Sequence, residues 1–241
     1  MKTIKIKEAN SSNSVALEML DKQNVDEGTI IVVENQTSGR GQNENKWYSE
    51  PSKNLTFSII FKPTFLKPEN QFYLSKVISL GVVDYVGLFC SNISIKWPND
   101  ICIENKKVAG ILIENTWLGQ KINASVVGIG INLNQEKFPS DLPNAISLKI
   151  MTQIPFNLDE SLKLLTNLIF TRYTLLKLND FKLIDKDYDA LLYRKAKESS
   201  FTKNGEMFKA TILGVETNGH LRLKHSDGRI ANYGMHEIRM I

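Results

Sequence analysis

Ile93-Ser94-Ile95-Lys96-Trp97-Pro98-Asn99-Asp100-Ile101-Cys102-Ile103 sets two short apolar runs on either side of a polar corner. Pro98 has no N–H to give to a ladder and drives Trp97 away from helical geometry. The stretch therefore reads as two strands joined by a rigid turn. Downstream, residues 108–114 and 124–131 are further apolar runs separated by polar turns, the pattern of a sheet built largely from hairpins. Upstream, Thr3-Ile4-Lys5-Ile6-Lys7 alternates as a strand, and residues 14–21 carry Val15, Leu17, Met19 and Leu20 on a helix. Residues 29–33 and 55–61 add two strands. Pro68 opens a helix with Leu74, Ile78, Gly81, Tyr85 and Leu88 at helical spacing. Asn157 with Glu160 caps another that presents Leu158, Leu162, Leu165, Ile169 and Leu176. One sheet packed by helices is the economical reading. From about Glu206 short strands return, with Asn218-Gly219 and Asp227-Gly228 offering the positive φ angles of two-residue hairpin turns, so the tail reads as a small β-barrel.

A chain of 241 residues with 42% hydrophobic content can bury a substantial core, enough for one main domain and a small appendage. The excess of 30 Lys+Arg over 26 Asp+Glu is small and nowhere concentrated, which argues against a nucleic-acid arm. No apolar run near the N-terminus resembles a signal peptide or membrane span, so a cytoplasmic location is expected. Cys90 and Cys102 are too few for a disulfide framework or a metal cluster and are expected to be buried thiols.

Several runs could carry chemistry. Gly39-Arg40-Gly41-Gln42 lies in a polar loop, residues 34–53, that is long for a compact domain. Its glycines let backbone N–H groups approach an anion, and Arg40 adds a guanidinium. It has no Gly-Lys-Ser/Thr ending and no following helix, so neither the P-loop nor the dinucleotide fingerprint applies, and alone it is equally a flexible turn. In the corner, one reading makes Trp97 core, Asn99 and Asp100 caps of the turn and Lys96 solvated. The other places Lys96 and Asp100 beside a ligand. Lys106 and Lys107 point to opposite faces of a strand, so one can face a pocket. Gly128-Ile129-Gly130-Ile131-Asn132 makes room either for another backbone or for a ligand, and Asn132 is either a turn amide or an orienting group. The spacing of His220, His225 and His236 fits neither helix-borne metal ligands nor a nucleophile–base pair, and no Gly-x-Ser-x-Gly elbow occurs.

Taken in order, Ser11-Ser12-Asn13, Gln36, Gly39-Arg40-Gly41-Gln42, Lys96-Trp97-Pro98-Asn99-Asp100, Lys107-Val108-Ala109-Gly110-Ile111-Leu112 and Gly128-Ile129-Gly130-Ile131-Asn132 resemble the biotin protein ligase family. The resemblance implies an α+β fold: a mixed sheet flanked by helices, shared with class II aminoacyl-tRNA synthetases, and then a small SH3-like barrel. A catalytic domain over residues 1–197 and a barrel over 198–241 are expected. The implied chemistry joins biotin to ATP as biotinyl-5′-AMP and then transfers biotin to a lysine of a biotin carboxyl carrier domain. ATP and biotin are substrates, Mg2+ accompanies ATP, and no tightly bound protein metal is expected. By the resemblance, Ser11, Ser12, Asn13, Gln36, Gly39, Arg40, Gly41, Gln42 and Lys107 hold biotin. Arg40 and Lys107 are also catalytic, and Lys96, Trp97, Asn99, Asp100 and Asn132 bind or orient the nucleotide.

The long loop would order over the adenylate and keep water from it. Glu44 departs from the glycine common at its position, which bears on how tightly an adenylate is retained. Some relatives carry a helix-turn-helix ahead of the ligase. Here the ligand motif starts at Ser11, so a ligase without direct DNA binding is expected. The Arg-Arg and triple-glycine signature of lipoyl and octanoyl transferases is absent, although Cys90 or Cys102 could carry an acyl group in such an enzyme. A biotin-binding module without catalysis is the remaining alternative. Sheet edges leave both a monomer and a homodimer open.

Overall fold

A computed structural model of the chain describes residues 2–42 and 45–241. The larger sheet has seven strands in the order β1-β2-β3-β7-β6-β5-β4. These are β1 (Thr3–Ala9), β2 (Ile30–Gln36), β3 (Leu55–Phe61), β4 (Ile93–Lys96), β5 (Asp100–Ile103), β6 (Lys106–Leu118) and β7 (Lys121–Ile131). Only β1 and β2 pair in parallel; every other ladder is antiparallel, so the sheet is mixed. The hairpins follow the apolar runs, and the corner Trp97-Pro98-Asn99 is closed by the pair Lys96 and Asp100.

The two faces of the sheet differ. Phe57, Ile59 and Phe61 of β3 and Val127, Ile129 and Ile131 of β7 point into the main core, against α2 (Phe72–Gly87) and α4 (Leu158–Lys177). Helix α2 is buried on almost all sides because the sheet lies on one flank and α4 and α5 (Phe181–Ala190) on the other. A 3₁₀ turn, Pro68–Asn70, precedes α2, so Pro68 opens the turn and not the helix itself. The opposite face is covered by α1 (Ser12–Lys22), whose Ala16 packs with Ile31, Val33, Ile60 and Val126 in a smaller core. Helix α1 lies over β2, β3 and β7. Farther along the same face, over β5 and β6, lies a cleft.

After α3 (Leu148–Thr152), α4 and α5, the chain forms a second sheet of five antiparallel strands in the order β11-β10-β9-β8-β12. These are β8 (Glu198–Lys203), β9 (Glu206–Val215), β10 (Leu221–His225), β11 (Ile230–Tyr233) and β12 (Arg239–Met240). This arrangement is consistent with an SH3-like domain. Its outer strands β11 and β12 do not pair with one another, so the ladder is not closed. The turns at Gly219 and Gly228 are three-residue loops, unlike the two-residue turns expected from sequence. Glu216 N donates to His220 O, His225 N donates to Arg229 O, and the glycines have φ of 88° and 86° while Asn218 and Asp227 keep ordinary angles. A type I turn followed by a left-handed glycine gives this geometry. No helix is long and apolar enough to cross a membrane among the described residues.

Candidate active site

Strand periodicity builds the cleft floor. Gly128 and Gly130 sit two apart on β7; Gly130 pairs with Gly110, and Gly128 with both Leu112 and Ser58. These residues share the α1 face of the sheet. Without side chains, the glycines let other groups lie directly on the strands. A Cβ on Gly128 would stand 2.3 Å from Asn13 Oδ1, and one on Gly130 would stand 2.2 Å from Trp47 Cε2. The cleft occupies about 1200 Å³, more than the roughly 300–1,000 Å³ of an ordinary ligand pocket, and so has room for two substrates together.

At one end, the N-terminus of α1 supplies Ser11, Ser12 and Asn13, all buried. Ser11 caps the helix by accepting from Ser14 N at 3.1 Å, and Ser12 N donates to Gln36 Oε1 at 2.8 Å. Asn13 Nδ2 donates to Glu114 Oε2 at 2.8 Å and to Leu112 O at 3.3 Å, while its Oδ1 accepts from Ser58 Oγ at 2.6 Å. Gln36 therefore keeps its amide nitrogen for an acceptor on a ligand.

The glycine-arginine loop folds over this end. Arg40 bridges to Lys46, Gly41 N donates to Asn45 O, and Trp47 N donates to Gly39 O. Arg40 Nη2 reaches Glu114 Oε1 at 2.5 Å. Gln42 lines the cleft. Gly39 stands behind it, where a Cβ would be 2.3 Å from Trp47 O, so this glycine serves the loop's own closure. The indole of Trp47 rests on Gly130 and Gly110, and its buried Nε1 has no hydrogen-bond partner among the described residues. Asn43 and Glu44, the latter the departure noted in the sequence, lie outside the described residues.

The other end carries the charges. Lys107 Nζ lies 2.6 Å from Asp100 Oδ1 and 5.5 Å from the centre of the Trp47 ring. Its backbone is fixed on both sides, with N donating to Asn144 O and O accepting from Ile146 N. Lys96 lines the same wall and has no ion-pair partner among the described residues. Asn99 binds β6 twice, through Nδ2 to Ile111 O at 2.8 Å and through its own carbonyl to Ile111 N at 3.0 Å, so it holds the corner. Trp97 is buried and points across to the second sheet, donating from Nε1 to Gly219 O at 2.9 Å. Asn132 is not on the cleft wall. It is 3% exposed and donates from Nδ2 to Ile146 O at 3.1 Å.

Most of the residues singled out from the sequence thus line one cleft, and other residues that gave no signal stand beside them. Ser58 and Glu114 gave no signal, because each looks like an ordinary strand residue until the register is known. Thr202, Asn204 and residues 235–240 of the second sheet also line the cleft. Cys102 is buried in the sheet, and burial pushes its thiol up to about 11. Cys90 is raised for the same reason and sits beyond the end of α2. Neither fits an acyl-carrying thiolate, which needs a lowered value.

The biotin/lipoate A/B protein ligase family model matches residues 6–132. A Bacillus subtilis protein, "Bifunctional ligase/repressor BirA", is 34% identical over 139 residues, covering 56% of this chain and 41% of that protein. A Paracoccus denitrificans "Biotin--[acetyl-CoA-carboxylase] ligase" is 35% identical over 106 residues, covering 43% of each. The matches therefore span less than half the length of these curated relatives. Among solved structures, a biotin protein ligase from Aquifex aeolicus in complex with biotin and ATP superposes with a TM-score of 0.83 at 27% identity, covering all of this chain and 98% of that one. With the sequence match running from β1 through the end of the glycine floor, and with that structural likeness across the whole fold, the chain belongs to the biotin/lipoate A/B protein ligase family.

Proposed function

We propose that the chain is an ATP-dependent biotin protein ligase. The observation that carries this reading is one cleft with two unlike ends: a hydrogen-bonding pocket of Ser11, Ser12, Asn13 and Gln36, and a cationic end with Lys107 and Lys96. Arg40 reaches in from the loop. Biotin is likewise a polar cyclic urea joined by an apolar chain to a carboxylate. A buried urea left unmatched would cost about 1–3 kcal/mol for each orphaned group, so the pocket selects for it.

In the first step, a biotin carboxylate oxygen attacks the α-phosphorus of ATP and pyrophosphate leaves. Lys107 and Arg40 are placed to balance the negative charge that gathers on the phosphates, a stabilisation fixed before reaction begins. Until an anion arrives, Asp100 and Glu114 hold these cations in position. In the second step, the amine of a carrier lysine attacks the biotinyl carbonyl and AMP leaves. Mg2+ enters with ATP as part of the substrate; no group of three or more His, Cys, Asp or Glu that could hold a metal occurs among the described residues. The name of the Paracoccus relative supports a biotin carboxyl carrier domain as the acceptor.

Pyrophosphate release with ATP and Mg2+, measured beside biotin, lipoate and octanoate, tests the reading. Biotin alone should drive release, and Lys107→Ala should slow it by about a hundredfold or more, the scale of losing one preorganised charge contact. Release driven by lipoate or octanoate moves the assignment to the acyl-transferase branch, and binding of biotin without release leaves a binding module.

A further inference from the structure

The ligand-facing end of the cleft has a polarity, and its source lies behind the cleft wall. Glu114 stands on β6 opposite Val126, with its two carboxylate oxygens on different partners. Oε1 takes Arg40 Nη2 at 2.5 Å, and Oε2 takes Asn13 Nδ2 at 2.8 Å. An ion-paired carboxylate can only accept, so Asn13 must turn its amide nitrogen toward it. Leu112 O, also an acceptor, enforces the same orientation. Asn13 Oδ1 is thereby fixed on Ser58 Oγ at 2.6 Å, and this bond takes the single proton of that hydroxyl. Ser12 Oγ lies 2.7 Å from Ser58 Oγ; because Ser58 has a single proton and Asn13 Oδ1 can only accept it, the proton between the two hydroxyls must come from Ser12. Having spent its proton, Ser12 can meet a ligand only as an acceptor.

We propose that Glu114 is a specificity-determining positioning residue, whose charge sets the direction of the hydrogen-bond chain from Glu114 through Asn13 and Ser58 to Ser12. That direction makes this end of the cleft take N–H donors, as a cyclic urea offers, and discriminate against a ligand whose donor is missing. The inference rests on the biotin ligase reading and deepens it. Glu114 acts through Asn13 and Ser58 and does not line the cleft itself. In Glu114→Gln the side chain keeps its size but can offer an N–H where Asn13 requires an acceptor, so the chain loses its fixed sense.

The test is titration calorimetry on the full chain without ATP, using biotin, desthiobiotin and N1′-methylbiotin. Desthiobiotin keeps both urea N–H groups, and the methylated compound lacks one. In Glu114→Gln, biotin and desthiobiotin should weaken together by about tenfold, and the preference for biotin over N1′-methylbiotin should narrow by a similar factor. Ser58→Ala, which cuts the chain in the middle and leaves the charge in place, should narrow the preference in the same way and carries the test if Glu114→Gln does not fold. A purely structural Glu114 would weaken all three ligands alike and leave the preference at its wild-type value. That result, or wild-type affinity in both variants, overturns the inference while leaving biotin binding by the wild type intact. A wild-type chain that binds no biotin overturns the functional reading beneath it as well.

Discussion

Asn132 shows how far a single residue's role depends on where its neighbours fall. As the end of a glycine-bearing strand it suggests an orienting amide for a nucleotide, yet its side chain turns inward to Ile146 O and its backbone N donates to Val108 O at 2.9 Å. Its carbonyl accepts from Leu148 N, so one residue ties β7, β6 and the start of α3. Asn132→Ala is therefore expected to cost about 1–3 kcal/mol of stability in denaturant titration, by orphaning Ile146 O, while the folded variant binds ATP as the wild type does. An ATP affinity lost without a stability change would show instead that Asn132 orients the nucleotide. Lys107 and Arg40 stood out as charges in a strand and a glycine loop, which are local properties of sequence, whereas Ser11, Ser12 and Asn13 were singled out only by the family resemblance. Glu114 and Ser58 were legible in neither way, because only the pairing of Ser58 with Gly128 and of Glu114 with Val126 brings both beneath Asn13.

Among elements, the strands of the larger sheet were legible from their apolar runs, and α4 from its cap, where Asn157 Oδ1 accepts from Asp159 N and Glu160 N. Helix α5 escaped notice because only Ile184 and Tyr188, one turn apart, are buried within a charged stretch. Strand β8 escaped for want of apolar residues: Phe201 is its single large one. The contact between the two sheets was equally hidden, since it joins the corner after β4 to the turn after β9. Gly219, at φ of 88°, presents its carbonyl to Trp97, and a Cβ there would stand 2.5 Å from Phe72 Cδ2. Gly219→Ala must both strain the left-handed backbone and push against Phe72, at an expected cost of about 1–2 kcal/mol. Because Trp97 neighbours Asn99 and Asp100, the same variant should raise the KM for ATP more than that for biotin. Equal changes in both would show that the turn acts on stability alone.

At the scale of the whole molecule, the second sheet is a wall of the cleft as well as an appendage. Lys76 is another tie between the parts. Its side chain is 3% exposed, and its ammonium lies 2.6 Å from Asp185 Oδ1 and 3.4 Å from Val215 O of β9, flanked by the rings of Tyr73 and Tyr188 at 4.7 and 5.5 Å. Of these partners only Val215 O belongs to the second sheet, so drawing the sheets apart would take that one hydrogen bond from a buried ammonium, at about 1–3 kcal/mol. The C-terminal segment, residues 198–241, is by itself too short to bury a core of adequate size. Its persistence therefore depends on the larger sheet. The bond from Trp97 to Gly219 then has a calorimetric meaning: the two sheets should melt in one endotherm, with van't Hoff and calorimetric enthalpies equal, as one cooperative unit. Two resolved endotherms would contradict this. In a molecule that melts this way, the cleft has no half-folded form, since the sheet that makes its floor and the sheet that makes its far wall are lost at the same temperature.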